Sequence, residues 1–434
     1  MLALVDRLCA VVVVAVGAAV LLPLALTLRL RRPVTRGGRR IAYLGTGRIA
    51  QVFPRNGVNL FLERECSDFQ GYFEQLWNVH FPAGAGGALS LTPRHHLIDV
   101  DFPLAGRLST ALPRTAIVLR ELLFLGWLLP FLRRNAISIV TATNPFLQGM
   151  NAALAGRLLG LPYAVIITRD FDWDWHVLGK RAFASVFPSR AVEARIGRWV
   201  LRGASLVLAD REYYRAFAVR NGARPDCTIA TRVLADRAYA EARACPDEVR
   251  QRYRLGPGPL LTYVGRLDAD KFALDLIDCL ALVRERFPSA QLACAGSGSL
   301  AEAMQQRAAE RGLAKALHLL GSLDLDDLAS LVASSDVVVA PHMGYTLVEA
   351  GLTGVPIVTY TYDFHAEVLV DGADEWLAPF RDVQSLADRV CHVLSDPATA
   401  RSIGDRLRAR LRREHSLDAV VPLYRQAYDR VLAR

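Results

Sequence analysis

A glycine-rich turn directly follows an apolar run in the stretch 41–57, IAYLGTGRIAQVFPRNG. In the pattern G-x-G-x-x-A, which is formed here by Gly45, Gly47 and Ala50, such a turn cradles a dinucleotide pyrophosphate on a helix N-terminus. That use requires the helix after the glycines to continue for several turns. The residues Pro-Arg-Asn-Gly at 54–57 break it after about two turns, which argues against an NAD site.

Two cations follow another apolar run in YVGRLDADKF. Gly265 and Arg266 come directly after the run, and Lys271 lies at the start of the next helical pattern. Two cations at a helix N-terminus would grip a diphosphate from two sides, with help from the helix dipole. The alternative is a solvated pair on a loop, and this spacing alone does not decide between the two.

A pair of glycines ends the next apolar run in ACAGSGSL. Gly296 and Gly298 would let either a ligand or a neighbouring stretch of backbone approach closely. The pair alone is a weak signal for a binding site.

The most informative stretch is APHMGYTLVEAGLTGVPIVTY. Gly344 opens a turn after a strand, the amides of Tyr345 and Thr346 point from the next helix N-terminus, and Glu349 lies in the first helical turn. An acid at this place could accept two vicinal ribose hydroxyls, while the amides take phosphate or sugar oxygens. The alternative is that Glu349 stabilises only its own helix, which is worth about 0.5–1 kcal/mol.

Together these residues resemble the retaining glycosyltransferases of the GT-B fold, in the family 4 group (glycosyl transferases group 1). Its G-R-x-x-x-x-K element, which holds the nucleotide diphosphate, is matched by Gly265, Arg266 and Lys271, and its G-x-G turn by Gly296 and Gly298. The latter part of its E-x-G-F-G-x-x-x-x-E-A-x-x-x-G-x-P-V-V block is matched by Gly344, Glu349, Ala350, Gly354, Pro356, Ile357 and Val358. The resemblance is specific from about Gly258 to Gly372 and only architectural before it.

The resemblance implies a donor site in the C-terminal domain and an acceptor site in the N-terminal domain. Arg266 and Lys271 would stabilise charge on the leaving diphosphate, so that neither a metal nor another cofactor is needed. Glu349 would hold the ribose, and Gly45 and Gly47 would face the donor phosphates. Glu63 lies downstream at about the distance at which an NAD site carries the acid that binds the ribose. Under this resemblance Glu63 has no ribose to bind.

An acidic segment, RDFDWDW, contains Asp170, Asp172 and Asp174 in the D-x-D spacing that could suggest a divalent metal. Metal sites of that kind belong to the other large glycosyltransferase fold, so the resemblance makes this segment an acceptor-side loop. In many relatives a His or Asp near this place approaches the transferring sugar, and Asp170 is the candidate here.

The chain departs from the family at one position. The first of the family's two glutamates, which touches the donor sugar, should stand at 341, where the sequence has Pro341. We interpret the change as one of sugar specificity. Two alternatives remain open: a catalytically silent GT-B-like subunit that tethers a partner to the membrane, and an epimerase acting on UDP-N-acetyl sugars.

The elements that must position these residues alternate between short apolar runs and helical patterns, which is typical of βα units with parallel sheets. The fold class predicted is therefore α/β, with two doubly wound Rossmann-like domains facing a cleft and an N-terminal transmembrane helix. The predicted segments are an anchor with a basic collar (1–40), an acceptor-side domain (41–242), a nucleotide-sugar domain (243–415) and a C-terminal helix that packs back on the first domain (416–434).

The N-terminal segment from Leu8 to Leu28 carries no charge and is long enough to cross about 30 Å of hydrocarbon. Six arginines follow it within twelve residues, at 29, 31, 32, 36, 39 and 40. The positive-inside bias then places the body in the cytoplasm as a single-pass protein. A cleaved signal peptide is the alternative, but it would carry its basic residues before the apolar run.

Composition agrees with a globular protein that meets anionic partners. The chain has 434 residues, a formal net charge of +9 and seven scattered cysteines without C-x-x-C spacing, so neither a disulfide framework nor a zinc ribbon is expected. We expect a membrane-anchored transferase of polysaccharide biosynthesis. It would move a sugar from a nucleotide diphosphate, with UDP favoured over GDP, to a lipid-linked glycan or glycolipid, with membrane lipid as a further partner and no nucleic acid.

Overall fold

The protein, studied as a computed structural model, is described at residues 2–30, 38–46, 48–49, 69–82, 84, 86–103, 108–235 and 237–433. The chain divides into two units. The first comprises Met1–Arg232 together with Val420–Arg434, and the second comprises Val233–Ala419. The division at Val233 precedes the predicted start of the second domain at 243.

The first unit is built on a sheet of eight strands in the order β3-β4-β2-β1-β5-β6-β7-β8. These strands are Arg40–Gly45, Gln75–His80, Gly87–Thr92, His95–Asp99, Ile139–Ala142, Tyr163–Ile167, Leu206–Ala209 and Thr228–Ala230, numbered β1 to β8. All neighbours pair in parallel except β3, which is antiparallel to β4. The exposed edge strand β3 and the three-residue β8 lie in segments that carry no apolar run, which is why the sequence pattern did not indicate them.

The described helices of the first unit are Leu2–Leu30 (α1), Pro113–Arg134 (α2), Leu147–Leu159 (α3), Phe171–Leu178 (α4), Arg190–Gly203 (α5) and Glu212–Arg220 (α6). The pattern around α3 is a helix as predicted, and Gly160 ends it in the left-handed conformation. Helix α2 covers one face of the sheet through a stripe of large apolar side chains. Of these, Phe124 stacks on Phe81 with ring centroids 4.1 Å apart.

Helix α1 runs parallel to α2 along its whole length. The Asp6 carboxylate accepts hydrogen bonds from the amides of Arg114 and Thr115 at the start of α2, at 3.2 and 3.0 Å. At the other end, the Arg133 guanidinium donates to the Arg29 carbonyl at 3.5 Å. Among the described residues, α1 and α2 are the two helices long and apolar enough to cross a membrane, a test that core helices and signal sequences also pass. The sequence analysis had singled out only α1.

A C-terminal helix, Leu417–Leu432, contributes aromatic side chains to the core of the first unit. Tyr424 stacks on Phe69 with ring centroids 4.7 Å apart, and the Tyr428 hydroxyl lies 3.2 Å from that of Tyr43. The residues predicted to pack back on the first domain therefore supply part of its core.

The second unit is built on a parallel sheet of six strands in the order β11-β10-β9-β12-β13-β14. Its strands, numbered β9 to β14, are Leu260–Val264, Gln291–Ala295, Leu317–Gly321, Val337–Ala340, Ile357–Tyr360 and Leu377–Ala378. Its helices, numbered α7 to α15, are Arg237–Glu241, Pro246–Tyr253, Asp275–Arg286, Ala301–Glu310, Leu325–Ala333, Thr346–Leu352, His365–Val368, Val383–Ser395 and Pro397–Glu414. Because β10, β9 and β12 are neighbours, the loops that follow them lie side by side at the carboxyl edge of the sheet.

Candidate active site

The loop after β9 presents two cations. Arg266 directly follows Gly265, its side chain is 55% exposed, and its guanidinium pairs with Asp268 and, at 2.9 Å, with Asp270. Lys271 ends a 3-10 turn, Ala269–Lys271, which lies ahead of helix α9. The structure therefore corrects the expectation that Lys271 starts the following helix. The cations stand on one short loop, and a diphosphate would have to replace the carboxylates around Arg266.

Neighbouring backbone packs so closely against the glycine pair after β10 that neither position has room for a side chain. A Cβ built at Gly296 would stand 1.9 Å from the Gly265 carbonyl oxygen, and one built at Gly298 would stand 2.4 Å from Leu267 backbone. The amide of Leu267 donates to the Ser297 carbonyl at 3.1 Å, and Asp268 accepts from both the amide and the hydroxyl of Ser299 at 2.9 Å. Of the two uses left open by the sequence, the structure shows close backbone approach, which clamps this turn against the cation loop.

The effect on stability of adding a side chain at Gly298 can be compared with the effect of the same change at Gly344. We expect Gly298→Ala to lower the free energy of unfolding by about 2 kcal/mol or more, because the clash is with backbone that cannot rotate away. Gly344→Ala is the matched control, since a Cβ there meets no heavy atom within 4 Å. It should change stability by less than about 0.5 kcal/mol. Urea unfolding of both variants measures the difference, and equal midpoints would contradict the backbone-clamp interpretation.

A buried histidine joins the loop after β12 to the cation loop. His342 Nδ1 lies 2.7 Å from the carbonyl oxygen of Asp270, which assigns the proton on Nδ1 to this hydrogen bond. Burial, with a contribution from the positive charge of Lys271, lowers the pKa of His342 to about 3. The imidazole is therefore neutral at physiological pH and adds no charge to the site. No motif marks His342 in the sequence, and its place directly after the unusual Pro341 was the available signal.

The loop after β12 leads into the short helix α12, which carries Glu349 in its first turn. Glu349 is buried, with the residue only 5% exposed, whereas a Cβ built at Gly344 would meet no heavy atom within 4 Å. The hydroxyl of Tyr345 donates to the Leu234 carbonyl and lies 3.3 Å from that of Val233. Thr346 is the first residue of α12. The structure thus places Gly344 and Tyr345 on the loop that His342 joins to Asp270, and Thr346 and Glu349 in the helix that follows this loop.

Pro341 stands directly after β12, where it is buried beside His342. His342 packs edge-on against Tyr362 with ring centroids 4.9 Å apart, and Tyr362 also packs edge-on against His365 at 4.6 Å. The place at which the family carries its first glutamate is thus occupied here by a proline with an aromatic surrounding. Where the family has a charged glutamate side chain, this chain has the uncharged side chain of Pro341.

In the first unit the end of β1 lies beside a hydrogen-bonded His–Asp pair that no sequence motif indicated. His80 and Asp99 end strands β2 and β4, with Nδ1 and Oδ1 2.7 Å apart, and Asp99 also accepts from the Ile49 amide at 2.9 Å. The His80 ring would lie 3.8 Å from a Cβ at Gly45. Both residues close apolar runs, which was the available signal. Gly47, Ala50, the 54–57 break and Glu63 lie outside the described residues.

The acidic segment of helix α4 is neutralised by arginines. Asp170 caps the helix, accepting from the amides of Asp172 and Trp173 at 2.9 and 3.0 Å, and it pairs with Arg220 at 2.8 Å. Asp172 pairs with Arg190 at 2.5 Å, and Asp174 with Arg169 at 3.1 Å. In the part of the chain that the structure describes, no three His, Cys, Asp or Glu side chains are grouped so that they could hold a metal. Asp170 thus has a structural task that its spacing did not indicate.

Comparison with known proteins adds a family match to this geometry. Residues 247–410 match the model of "Glycosyl transferases group 1". A glycogen synthase of Mycobacterium tuberculosis is 32% identical over 182 residues, which are 41% of this chain and 44% of that protein. A GDP-mannose-dependent alpha-(1-6)-phosphatidylinositol monomannoside mannosyltransferase of Mycolicibacterium smegmatis is 29% identical over 38% of this chain and 45% of its own. The chain thus spans less than half the length of these relatives.

Among solved structures, Anabaena Alr3699/HepE in complex with UDP is similar with a TM-score of 0.66. The match covers 90% of this chain and 99% of that one at 16% identity, a level that speaks for the fold alone. WaaG, a glycosyltransferase involved in lipopolysaccharide biosynthesis, matches with a TM-score of 0.63 over 90% of this chain. Both units take part in a match of this extent, so the likeness in fold extends well beyond residues 247–410.

Proposed function

We propose that this chain, which has the GT-B fold and a glycosyl transferases group 1 domain in its second unit, moves a sugar from a nucleotide diphosphate donor with retention at the anomeric carbon. One observation carries the proposal. The loop after β9 bears Arg266 and Lys271, the loop after β12 leads into α12 with the buried Glu349, and a 2.7 Å hydrogen bond between His342 and Asp270 joins the two loops. The two cations and the carboxylate thus follow neighbouring strands, which supports their use on the phosphates and the ribose of one nucleotide.

In this proposal the two cations act on the leaving group. As the bond from the sugar to the diphosphate breaks, negative charge grows on the diphosphate oxygens. Arg266 and Lys271 stabilise that charge more strongly than the charge of the intact donor, which lowers the barrier. Before the donor binds, Asp268 and Asp270 pair with the Arg266 guanidinium, and the donor diphosphate then replaces them as its partner.

Glu349 holds the ribose in this proposal, and the donor sugar meets the neutral surface around Pro341 and His342. A carboxylate accepts hydrogen bonds from both vicinal hydroxyls of a ribose, and burial strengthens them. We favour UDP as the donor nucleotide over GDP. The mannosyltransferase relatives are named as GDP-mannose-dependent, so both nucleotides belong in the test.

The acceptor is proposed to be a lipid-linked glycan or a glycolipid at the cytoplasmic face. The apolar helix α1 and the arginines that follow it support a membrane location. Relatives named as phosphatidylinositol monomannoside mannosyltransferases agree with a lipid-borne acceptor. The acceptor side of the reaction is assigned to the first unit, where the pair His80–Asp99 and Asp170 are the residues to test.

Purified protein with labelled UDP- and GDP-sugars and a membrane-lipid extract tests the proposal. We expect transfer of label to a lipid-soluble product and undiminished transfer in EDTA, because cations of the chain meet the phosphate charge. Loss of transfer on chelation, with recovery on adding Mg²⁺ or Mn²⁺, would overturn the metal-independent mechanism. Hydrolysis or epimerisation without transfer would point to the epimerase, and binding of nucleotide without turnover to the silent subunit.

A further inference from the structure

Between Arg7 and Arg29, the exposed surface of helix α1 that α2 and α3 leave open is lined by apolar side chains. Val20 is 63% exposed and Leu30 75% exposed. In all, ten large apolar side chains of α1 are exposed, at Val5, Leu8, Val11, Val12, Val14, Val16, Val20, Leu22, Leu26 and Leu30. Soluble proteins rarely leave so continuous an apolar surface to water, so it needs a partner of its own.

The packing of α1 is incompatible with a simple crossing of the bilayer. Helix α2 starts beside Asp6 and ends beside Arg29, so it would have to cross in the same direction as α1. The chain between them would then have to cross back, although it contains strands β1 to β4 of the sheet. Moreover, α2 is held to that sheet by Phe124 on Phe81 and by Phe131 on Trp77. With α2 fixed on the sheet, α1 lies along the surface of the first unit.

Basic side chains gather where α1, α2, α3 and α5 end. The Arg29 guanidinium would stand 3.6 Å from a Cβ at Gly160, and that of Arg157 would stand 3.2 Å from a Cβ at Gly203. Arg157 also stacks over the Trp199 ring at 4.4 Å. The exposed members of this arginine cluster are Arg29, Arg134, Arg157, Arg195, Arg198 and Arg202, of which the last four line one surface cavity together with Trp199.

We propose that α1 lies in the plane of an anionic bilayer, with its apolar surface in the acyl region of one leaflet and the arginine cluster on the phosphates of the headgroups. The 29 residues of α1 make a rod about 43 Å long, which matches an in-plane anchor held along its whole length. Guanidinium groups form charge-assisted pairs with phosphate, and Trp199 suits the interface between headgroups and water. This inference deepens the proposed membrane location and rests on it.

Sidedness separates this arrangement from a crossing. The full chain carries one epitope tag before Met1 and another after Arg434, and protease is added to spheroplasts or to inverted membrane vesicles. We expect both tags to be protected in spheroplasts and digested in inverted vesicles, because both ends lie on the cytoplasmic side. Digestion of the N-terminal tag alone in spheroplasts would show that α1 spans the membrane and would overturn the proposal.

A cross-link tests whether α1 stays on α2 in the membrane. Leu21 contacts Gly126 across the two helices, with 3.8 Å between a Leu21 methyl carbon and a Cβ built at Gly126. The double variant Leu21→Cys/Gly126→Cys should be joined within one chain by a short bismaleimide reagent added to membranes, and the cross-linked protein should remain in the membrane fraction. Absence of the cross-link, or release of the cross-linked protein, would contradict in-plane insertion. The single variants are the controls.

Charge reversal tests the arginine cluster. The detergent-purified variant Arg198→Glu/Arg202→Glu, diluted into phosphatidylcholine vesicles with 30% phosphatidylglycerol, should bind at least tenfold more weakly than the unchanged chain, at about one kcal/mol for each arginine. The matched control Arg389→Glu/Arg401→Glu changes two exposed arginines of the second unit and should bind within twofold. Equal binding of both variants would remove the headgroup role. None of these readouts involves sugar transfer, so loss of turnover in correctly inserted protein would overturn the proposed activity alone.

Discussion

Lys271→Ala is expected to lower the turnover number at saturating donor by about 10²–10³-fold, the usual cost of losing one group that stabilises charge in a transition state. Lys271 stands on the same loop as Arg266 and close enough to His342 to lower its pKa. Its ammonium group therefore lies near the loops that the proposal assigns to the donor. Arg266 lies on the same loop, and its charge is shared with Asp268 and Asp270.

The loss of nucleotide affinity in Lys271→Ala should depend on whether the ligand carries phosphates. Lys271→Ala should weaken the affinity for UDP or GDP about 10–100-fold, since a charge-assisted hydrogen bond contributes about 1.5–3 kcal/mol, whereas affinity for uridine or guanosine should hardly change. The matched control is Lys315→Ala, an exposed lysine elsewhere in the second unit. Calorimetric titration of nucleotide and nucleoside measures both. If nucleoside and diphosphate lost affinity equally, Lys271 would not be a phosphate ligand.

Glu349→Gln should lower nucleotide affinity by about one to two decades while thermal stability without nucleotide hardly moves. The substitution keeps the shape of the side chain and removes its charge, which weakens hydrogen bonds to ribose hydroxyls. In the alternative role, in which Glu349 only stabilises helix α12, the pattern is reversed: a loss of up to about 1 kcal/mol in stability with unchanged affinity. Burial of Glu349 at 5% exposure makes the first outcome the expected one, because a carboxylate that served only the helix dipole would not need to leave water.

A second glutamate in a helical first turn provides the control for this experiment. Glu248 lies in the first turn of α8, is exposed and is remote in sequence from the three loops of the site. Glu248→Gln should change stability slightly and nucleotide affinity not at all. Equal affinity of Glu349→Gln and the unchanged chain for UDP and GDP would rule out the ribose assignment and would leave the capping role.

The local motifs of the second unit could be predicted from sequence because each combines a strand end with a turn. Arg266, the glycine pair Gly296–Gly298 and the Gly344–Glu349 stretch all follow short apolar runs, and every such run in this half of the chain is a strand of one parallel sheet. In a doubly wound sheet, strand ends define the ligand edge, so chain order alone was enough to group these residues. The βα pattern depends on residues that are close in the chain, so it can be recognised in a single sequence.

Only the tertiary structure decided what those residues contact. The sequence left open whether Gly298 faces a ligand or backbone, and packing places Leu267 against it. It marked Asp170 by spacing, whereas Arg220, distant along the chain, gives that carboxylate an ion pair. His342 and the pair His80–Asp99 carry no motif, because their meaning arises from contacts between loops that follow different strands.

The same division holds for the N-terminal helix. Hydropathy and the arginines after α1 determined that it is an apolar helix suited to lipid, since both properties are sums over neighbouring residues. They could not show that Asp6 caps α2 and that the two helices run side by side, because α2 lies more than one hundred residues later in the chain. Whether an apolar helix crosses a bilayer or lies along its own protein depends on such a partner, and a partner surface exists only once the chain has folded.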